Sequence, residues 1–240
     1  MSDEAQRAFV RGAAVTGHVR VEIGDPGEGW LAYPEGVPGL IERARRAVPD
    51  ASRTVAAALL ASSVAGAFAA PITGALFTEG RVPIPERVWL RPYFTGVDAV
   101  AVGKTTVTHE DPRGAALSGY RRLLVPLMDF VSGTTQRGRR ALWADAGDRL
   151  ATYLLLAGRA RGDQDAGRRE ADLLLGRAEP PLRHDPAWLV FEHRGERVVW
   201  KRRPVCCLIY QAPNFRGRYC ATCPLVPVAE TVARTRAWLG

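Results

Sequence analysis

Apolar positions recur at helical spacing over most of the chain and alternate at strand spacing in a few short runs. Residues 2 to 14 predict a short helix, and Val19 to Ile23 alternates as a strand before the turn-rich run Gly24 to Gly29. Pro38 to Val48 reads as a helix. Asp50 or Ser52 can cap the next one, whose apolar positions Val55, Leu59, Leu60, Val64 and Phe68 share a face while small residues cover the rest. This is expected to be a central packing helix, broken near Pro71. Arg87 to Tyr93 and Val97 to Thr108 predict two strands around Gly96, with Lys104 and His109 as ordinary solvated residues. Leu117 to Phe130 predicts a helix kinked or restarted at Pro126.

The clearest helix spans Arg139 to Arg159, with Leu142, Ala146, Leu150, Tyr153, Leu154 and Ala157 in register. Arg140, Asp145, Asp148 and Arg149 are expected on its outer side. Asp165 to Leu175 predicts another helix, capped by Asp165 and stopped by Gly176. Trp188 to Phe191 and Arg197 to Trp200 predict a hairpin turning at Arg194-Gly195, and Pro227 opens a last helix running to Leu239. The fold class expected is α+β: an α-rich body with a small antiparallel sheet over residues 1–187, then a hairpin, a cysteine loop and a closing helix over 188–240. Glu179-Pro180-Pro181 is the best break in the chain, although the cysteine segment has too little apolar content to fold without a metal or the body beneath it.

Composition changes this picture little. The 240 residues carry a net charge of +8, with 33 basic side chains that are all arginine except Lys104 and Lys201. No groove-reading motif or basic patch interleaved with aromatics accompanies that charge, so nucleic acid is not the expected partner. The run from Thr54 to Thr78 has no charged residue and is long enough for a bilayer. Its Ala, Ser and Gly content with Pro71 favours a buried helix instead. The first twenty residues carry Asp3, Glu4, Arg7 and Arg11 and no apolar core, so the expectation is no secretory signal and a cytoplasmic, reducing location.

All four cysteines fall in one segment, Cys206-Cys207-x12-Cys220-x2-Cys223. Thiols confined to one short cluster in a reducing compartment point to metal ligation. Only Cys220-x2-Cys223 has the spacing of a zinc knuckle, and the vicinal pair Cys206-Cys207 suits a target wider than one ion. A [2Fe-2S] cluster bound by Cys206, Cys207, Cys220 and Cys223 is the leading reading, with a closed zinc site second and a redox-active vicinal disulfide third. Arg202, Arg203, Arg216 and Arg218 lie close by in sequence. Arg203 and Arg216 are candidates for tuning such a centre or for contacting its substrate, because positive charge stabilises a more anionic reduced state. Amides near Gly217 are candidate donors to sulfur, and Trp200, Tyr210, Phe215 and Tyr219 are candidate walls. No nucleotide fingerprint is present, so a one-electron relay needs a separate donor.

The segment resembles the C-terminal signature of the FhuF family of ferric-siderophore reductases at Arg203, Cys206, Cys207, Leu208, Tyr210, Pro213, Gly217, Tyr219, Cys220 and Cys223. The loop is two residues longer than the family's usual one, with Asn214-Phe215-Arg216 as an expanded tip. A second segment, Gly138 to Ala146, resembles the family's Arg-x-Leu-Trp-Gly-Asn helix start, with Ala144-Asp145 replacing Gly-Asn. The resemblance implies a [2Fe-2S] cofactor on the four cysteines, a cytoplasmic ferric-siderophore reductase, a ferric siderophore of hydroxamate type as substrate, and a ferredoxin or flavin reductase as donor. Peripheral association with the inner membrane, where such a substrate arrives, is compatible with it. The alternative is an iron-sulfur or zinc module that binds or senses without reducing. A third reading, siderophore assembly, lacks a recognisable ATP site.

Overall fold

The computed structural model describes residues 2–215 and 217–239. Its organising element is the helix α3, Arg53–Glu79, preceded by α1 (Ser2–Thr16), strands β1 (Arg20–Ile23) and β2 (Leu31–Tyr33), and α2 (Val37–Ala47). The Ser52 hydroxyl caps α3 by accepting from the Val55 amide at 3.3 Å. This helix is long and apolar enough to cross a membrane, and it is almost wholly buried inside the fold.

Helix α3 runs unbroken through Pro71, contrary to the break expected there. Burial on every side outweighs the one lost amide donor: Val64 and Phe68 before the proline, and Ile72 after it, are fully buried. Small residues let neighbours approach to backbone contact. A Cβ on Gly12 of α1 would lie 2.1 Å from the Pro71 carbonyl oxygen, and one on Gly74 would lie 2.0 Å from the Gly12 oxygen.

After α3 come β3 (Val82–Pro85), β4 (Val88–Tyr93), β5 (Gly96–Val102) and β6 (Thr105–Thr108). The sheet order is β1-β5-β4-β2, and it is mixed rather than purely antiparallel because β1 runs parallel to β5. The expected strand Val97 to Thr108 divides at Gly103-Lys104. Its second half leaves the sheet to pair with β3, which was not anticipated because Pro83 and Pro85 mask the strand pattern. Lys104 pairs with Glu86 at the surface.

Helix α4, Pro112–Thr134, also continues through its proline, Pro126, with Leu123, Leu124, Leu127 and Met128 buried around it. Then follow α5 (Arg139–Ala160) and α6 (Gln164–Gly176), the latter capped by Asp163 rather than Asp165, its side chain accepting from the Ala166 amide at 2.8 Å. Strands β7 (Ala187–His193) and β8 (Glu196–Arg202) form the expected hairpin, with Arg194 and Gly195 both at positive φ in its turn. The hairpin docks on α5 and α6. Gln164 bridges to it twice, accepting from the Val199 amide at 2.9 Å and donating to the Arg197 carbonyl at 2.5 Å. The chain closes with α7, Val228–Leu239, held on the hairpin by Trp238 against Trp200.

Candidate metal centre

Strand β8 delivers the chain to the cysteines through Arg202 and Arg203, and each arginine anchors the loop differently. Arg202 donates to the carbonyls of Pro224 and Val226, drawing the far end of the loop back to its start. The Arg203 amide donates to the Thr222 carbonyl at 3.0 Å, while its guanidinium pairs with Asp145 of α5. That ion pair is nearly buried, with 12% and 10% of the two side chains exposed. Burial opposes the ionised carboxyl, but the Arg203 and Arg149 guanidinium groups outweigh it and hold Asp145 at about 2. A second buried pair joins Lys201 of β8 to Asp148, one turn further along α5.

These pairs correct the expectation that Asp145 and Asp148 face outward. Helix α5 packs mainly against α3 and α6, with α4 beside them, and β8 and the start of the cysteine loop reach its remaining face through Lys201 and Arg203. The two segments that carry the family resemblance therefore meet through one ion pair, Asp145 with Arg203.

Beyond Val205 the backbone does something a leucine rarely permits. Leu208 sits at φ 64°, in the left-handed region, and opens a short 3-10 turn, Ile209–Gln211. Such a conformation costs about 1 kcal/mol or more for a residue with a side chain. It turns successive amides toward the thiols: the Leu208 N–H donates to Cys206 Sγ at 3.3 Å, and the Ile209 amide lies close enough to Cys207 to favour its thiolate. Among the described residues the amides at the thiols are those of Leu208 and Ile209. A second 3-10 turn, Pro213–Phe215, forms part of the loop tip, and Arg216 lies outside the described residues.

The four thiols gather in crossed pairs. Cys206 lies within reach of Cys223, and Cys207 within reach of Cys220, while Cys206 also feels Cys207 and Cys220 also feels Cys223. The knuckle is a tight turn, its Cys223 amide donating to the Cys220 carbonyl at 3.2 Å. Among the described residues no group of three or more His, Cys, Asp or Glu converges on a single ion position. The Cys220 thiol, the Arg203 guanidinium and the Ile209 amide hold Cys207 below the ordinary thiol range despite burial, and the same Cys207 contact pushes Cys220 up. Burial raises Cys206, partly offset by the Leu208 amide.

A residue without any motif to mark it stands at the other side of the loop. Arg137, in the connection between α4 and α5, donates to the Cys206 carbonyl at 2.7 Å, and its Nε–H is buried with no partner. The aromatic walls expected from the sequence divide in two. Tyr210 and Tyr219 pack on each other at the loop with ring centroids 5.0 Å apart, whereas Trp200 lies under Arg159 and beside Trp238, on the closing helix. Phe215 packs against the main core.

Four thiols, two amides close to sulfur and buried guanidinium groups on two sides form a donor set suited to an anionic metal-sulfur group. Crossed pairing also suits it, since two tetrahedral irons each take two thiolates. A cavity of about 330 Å³ reaches this centre on the Cys207 and Cys220 side and is lined also by Arg149, Tyr153 and Arg203. Set against protein families, curated proteins and solved structures, the chain finds no match in any of the three.

Proposed function

We propose that this protein is a cytoplasmic one-electron reductase of ferric siderophores that works through a [2Fe-2S] cluster held by Cys206, Cys207, Cys220 and Cys223. The observation that carries the reading is the crossed gathering of the four thiols, with backbone amides aimed at Cys206 and Cys207. Cys206 with Cys223 would hold one iron and Cys207 with Cys220 the other. When bound, the cluster supplies a centre that takes up and releases one electron at a time.

The chain's own residues do the rest. The Leu208 and Ile209 amides and the Arg203 and Arg137 guanidinium groups favour negative charge on the sulfurs, and so favour the reduced state. Asp145 fixes Arg203, and Arg203 fixes the start of the loop. Ferric iron is held by hard oxygen donors far more tightly than ferrous iron, so a single electron loosens the chelate without any group transfer by the protein. The electron comes from a separate donor of the ferredoxin or flavin-reductase kind. The resemblance to the FhuF family supports the choice of a ferric siderophore, of hydroxamate type, as acceptor.

Protein purified without oxygen, reduced with dithionite and mixed with a ferric hydroxamate should regain its oxidised visible spectrum while ferrous iron appears. A reduced spectrum that persists under excess chelate rejects the reductase. A colourless protein with one zinc per chain would support the binding or sensing module instead.

A further inference from the structure

A cavity opens beside Cys207 and Cys220 and extends away from the thiols to His18, Gly66 and Tyr153. At about 330 Å³ it lies at the small end of ligand sites, which span roughly 300–1,000 Å³. It therefore admits a small ligand or one arm of a larger one. Its rim includes the exposed His18, and its wall includes Gly66, where a Cβ would lie 2.9 Å from the Tyr153 hydroxyl.

The charge around this cavity does not balance. Arg203 pairs with Asp145 and Lys201 with Asp148, while Arg149 has no ion pair of its own among the described residues and acts on Asp145 only from beyond ion-pair distance. Its one partner there is the neutral Ser62 hydroxyl. The Nε–H groups of both Arg149 and Arg203 are buried without a hydrogen-bond partner, although both residues line the cavity. The Tyr153 hydroxyl is a further donor on the same wall. A forked cation beside a phenolic hydroxyl matches the planar pair of oxygens of a carboxylate.

We propose that this cavity is a carboxylate site, in which Arg149 and the Tyr153 hydroxyl hold a free carboxylate of the ferric chelate and seat the chelate over the Cys207–Cys220 edge. Calling the ligand a ferric chelate rests on the reductase reading. The substrate is then a ferric hydroxamate chelate that also carries at least one carboxylate not engaged with iron. One electron passes from the reduced protein to Fe(III), giving Fe(II), and a one-electron donor protein replaces it. No bond to the carboxylate forms or breaks.

Gallium(III) citrate tests this without electron transfer, because gallium(III) has no accessible lower state in water. Titration calorimetry on the oxidised, metal-loaded protein should detect its binding. Arg149→Gln should weaken that binding about ten- to a hundredfold, and Arg149→Lys should recover part of the loss. The gallium complex of a trihydroxamate lacking carboxylates should bind the native protein and Arg149→Gln alike. No binding of gallium citrate, or equal binding by Arg149→Gln, overturns the site. So does a variant whose midpoint potential shifts while its affinity does not, since Arg149 then only balances the metal centre's charge. Tighter, Arg149-dependent binding of inorganic phosphate would overturn the carboxylate assignment. Arg149-dependent binding in a protein that reduces no chelate removes the reductase and keeps the site. Reduction of carboxylate-bearing chelates at native rate and KM by Arg149→Gln does the reverse.

Discussion

Asp145 anchors the start of the cysteine loop through its pair with Arg203. It meets Arg203 in a nearly dry environment, where removing one partner leaves the other charge buried and unpaired. Asp145→Asn is expected to destabilise the protein by about 3–5 kcal/mol in chemical denaturation. The sign with pH follows from the depressed carboxyl. Its stabilisation is present above the ordinary carboxylate range, near pH 4, and is lost as pH falls toward about 2. The denaturation difference between native protein and Asp145→Asn should therefore narrow as pH is lowered from 5 to 3, and a constant difference would contradict the assignment. The thiols allow a second test. If the metal is stripped and the chain oxidised, disulfides should join Cys206 to Cys223 and Cys207 to Cys220, so Cys206→Ser should leave Cys223 as the free thiol in mass spectrometry. A vicinal Cys206–Cys207 bond would contradict the crossed arrangement.

At the scale of elements, close helix approach is the organising device. Helices α1 and α3 touch backbone to backbone at Gly12 and Gly74, and α5 meets α6 where a Cβ on Gly158 would lie 2.7 Å from the Gly167 Cα. No flexible side chain stands there to move aside. Gly12→Ala is expected to cost about 1–3 kcal/mol or more by overpacking, read as a fall in the thermal midpoint, and an unchanged midpoint would mean the helices separate easily. Most elements were legible in the sequence because their apolar spacing is regular, as in α5 and the β7–β8 hairpin. The unbroken passage of α3 through Pro71 was not. Local propensity argues for a break, and only burial from distant segments overrules it. Pairing of β3 with β6 was hidden for a related reason, since a strand with two prolines reads as a turn.

Across the whole molecule, the helical body acts as a platform that holds one loop in place. Cys206, Cys207, Cys220 and Cys223 stood out in the sequence because no other thiols compete with them, and Arg203 stood out as their neighbour. Asp145, Asp148 and Arg137 did not. On a helical projection the two aspartates oppose the apolar stripe, and nothing local reveals that Lys201 and Arg203 arrive from more than fifty residues away to bury them. Arg137 belongs to no motif and reaches the loop only because the α4–α5 connection lies beside it. If the proposed cluster is bound, its loss should loosen this loop and leave the body folded, because α3 and its neighbours bury their core without it. Hydrogen exchange on stripped protein should accelerate over residues 203–226 and stay slow in α3 and α5, and uniform acceleration would contradict a separately stable body.

The most direct measurement is the iron, acid-labile sulfide and zinc content of protein prepared without oxygen, taken together with its electron paramagnetic resonance after dithionite reduction. Four thiols in crossed pairs predict two irons and two sulfides per chain, with a spectrum that appears on one-electron reduction. One zinc per chain with no sulfide, or no metal at all, would contradict it.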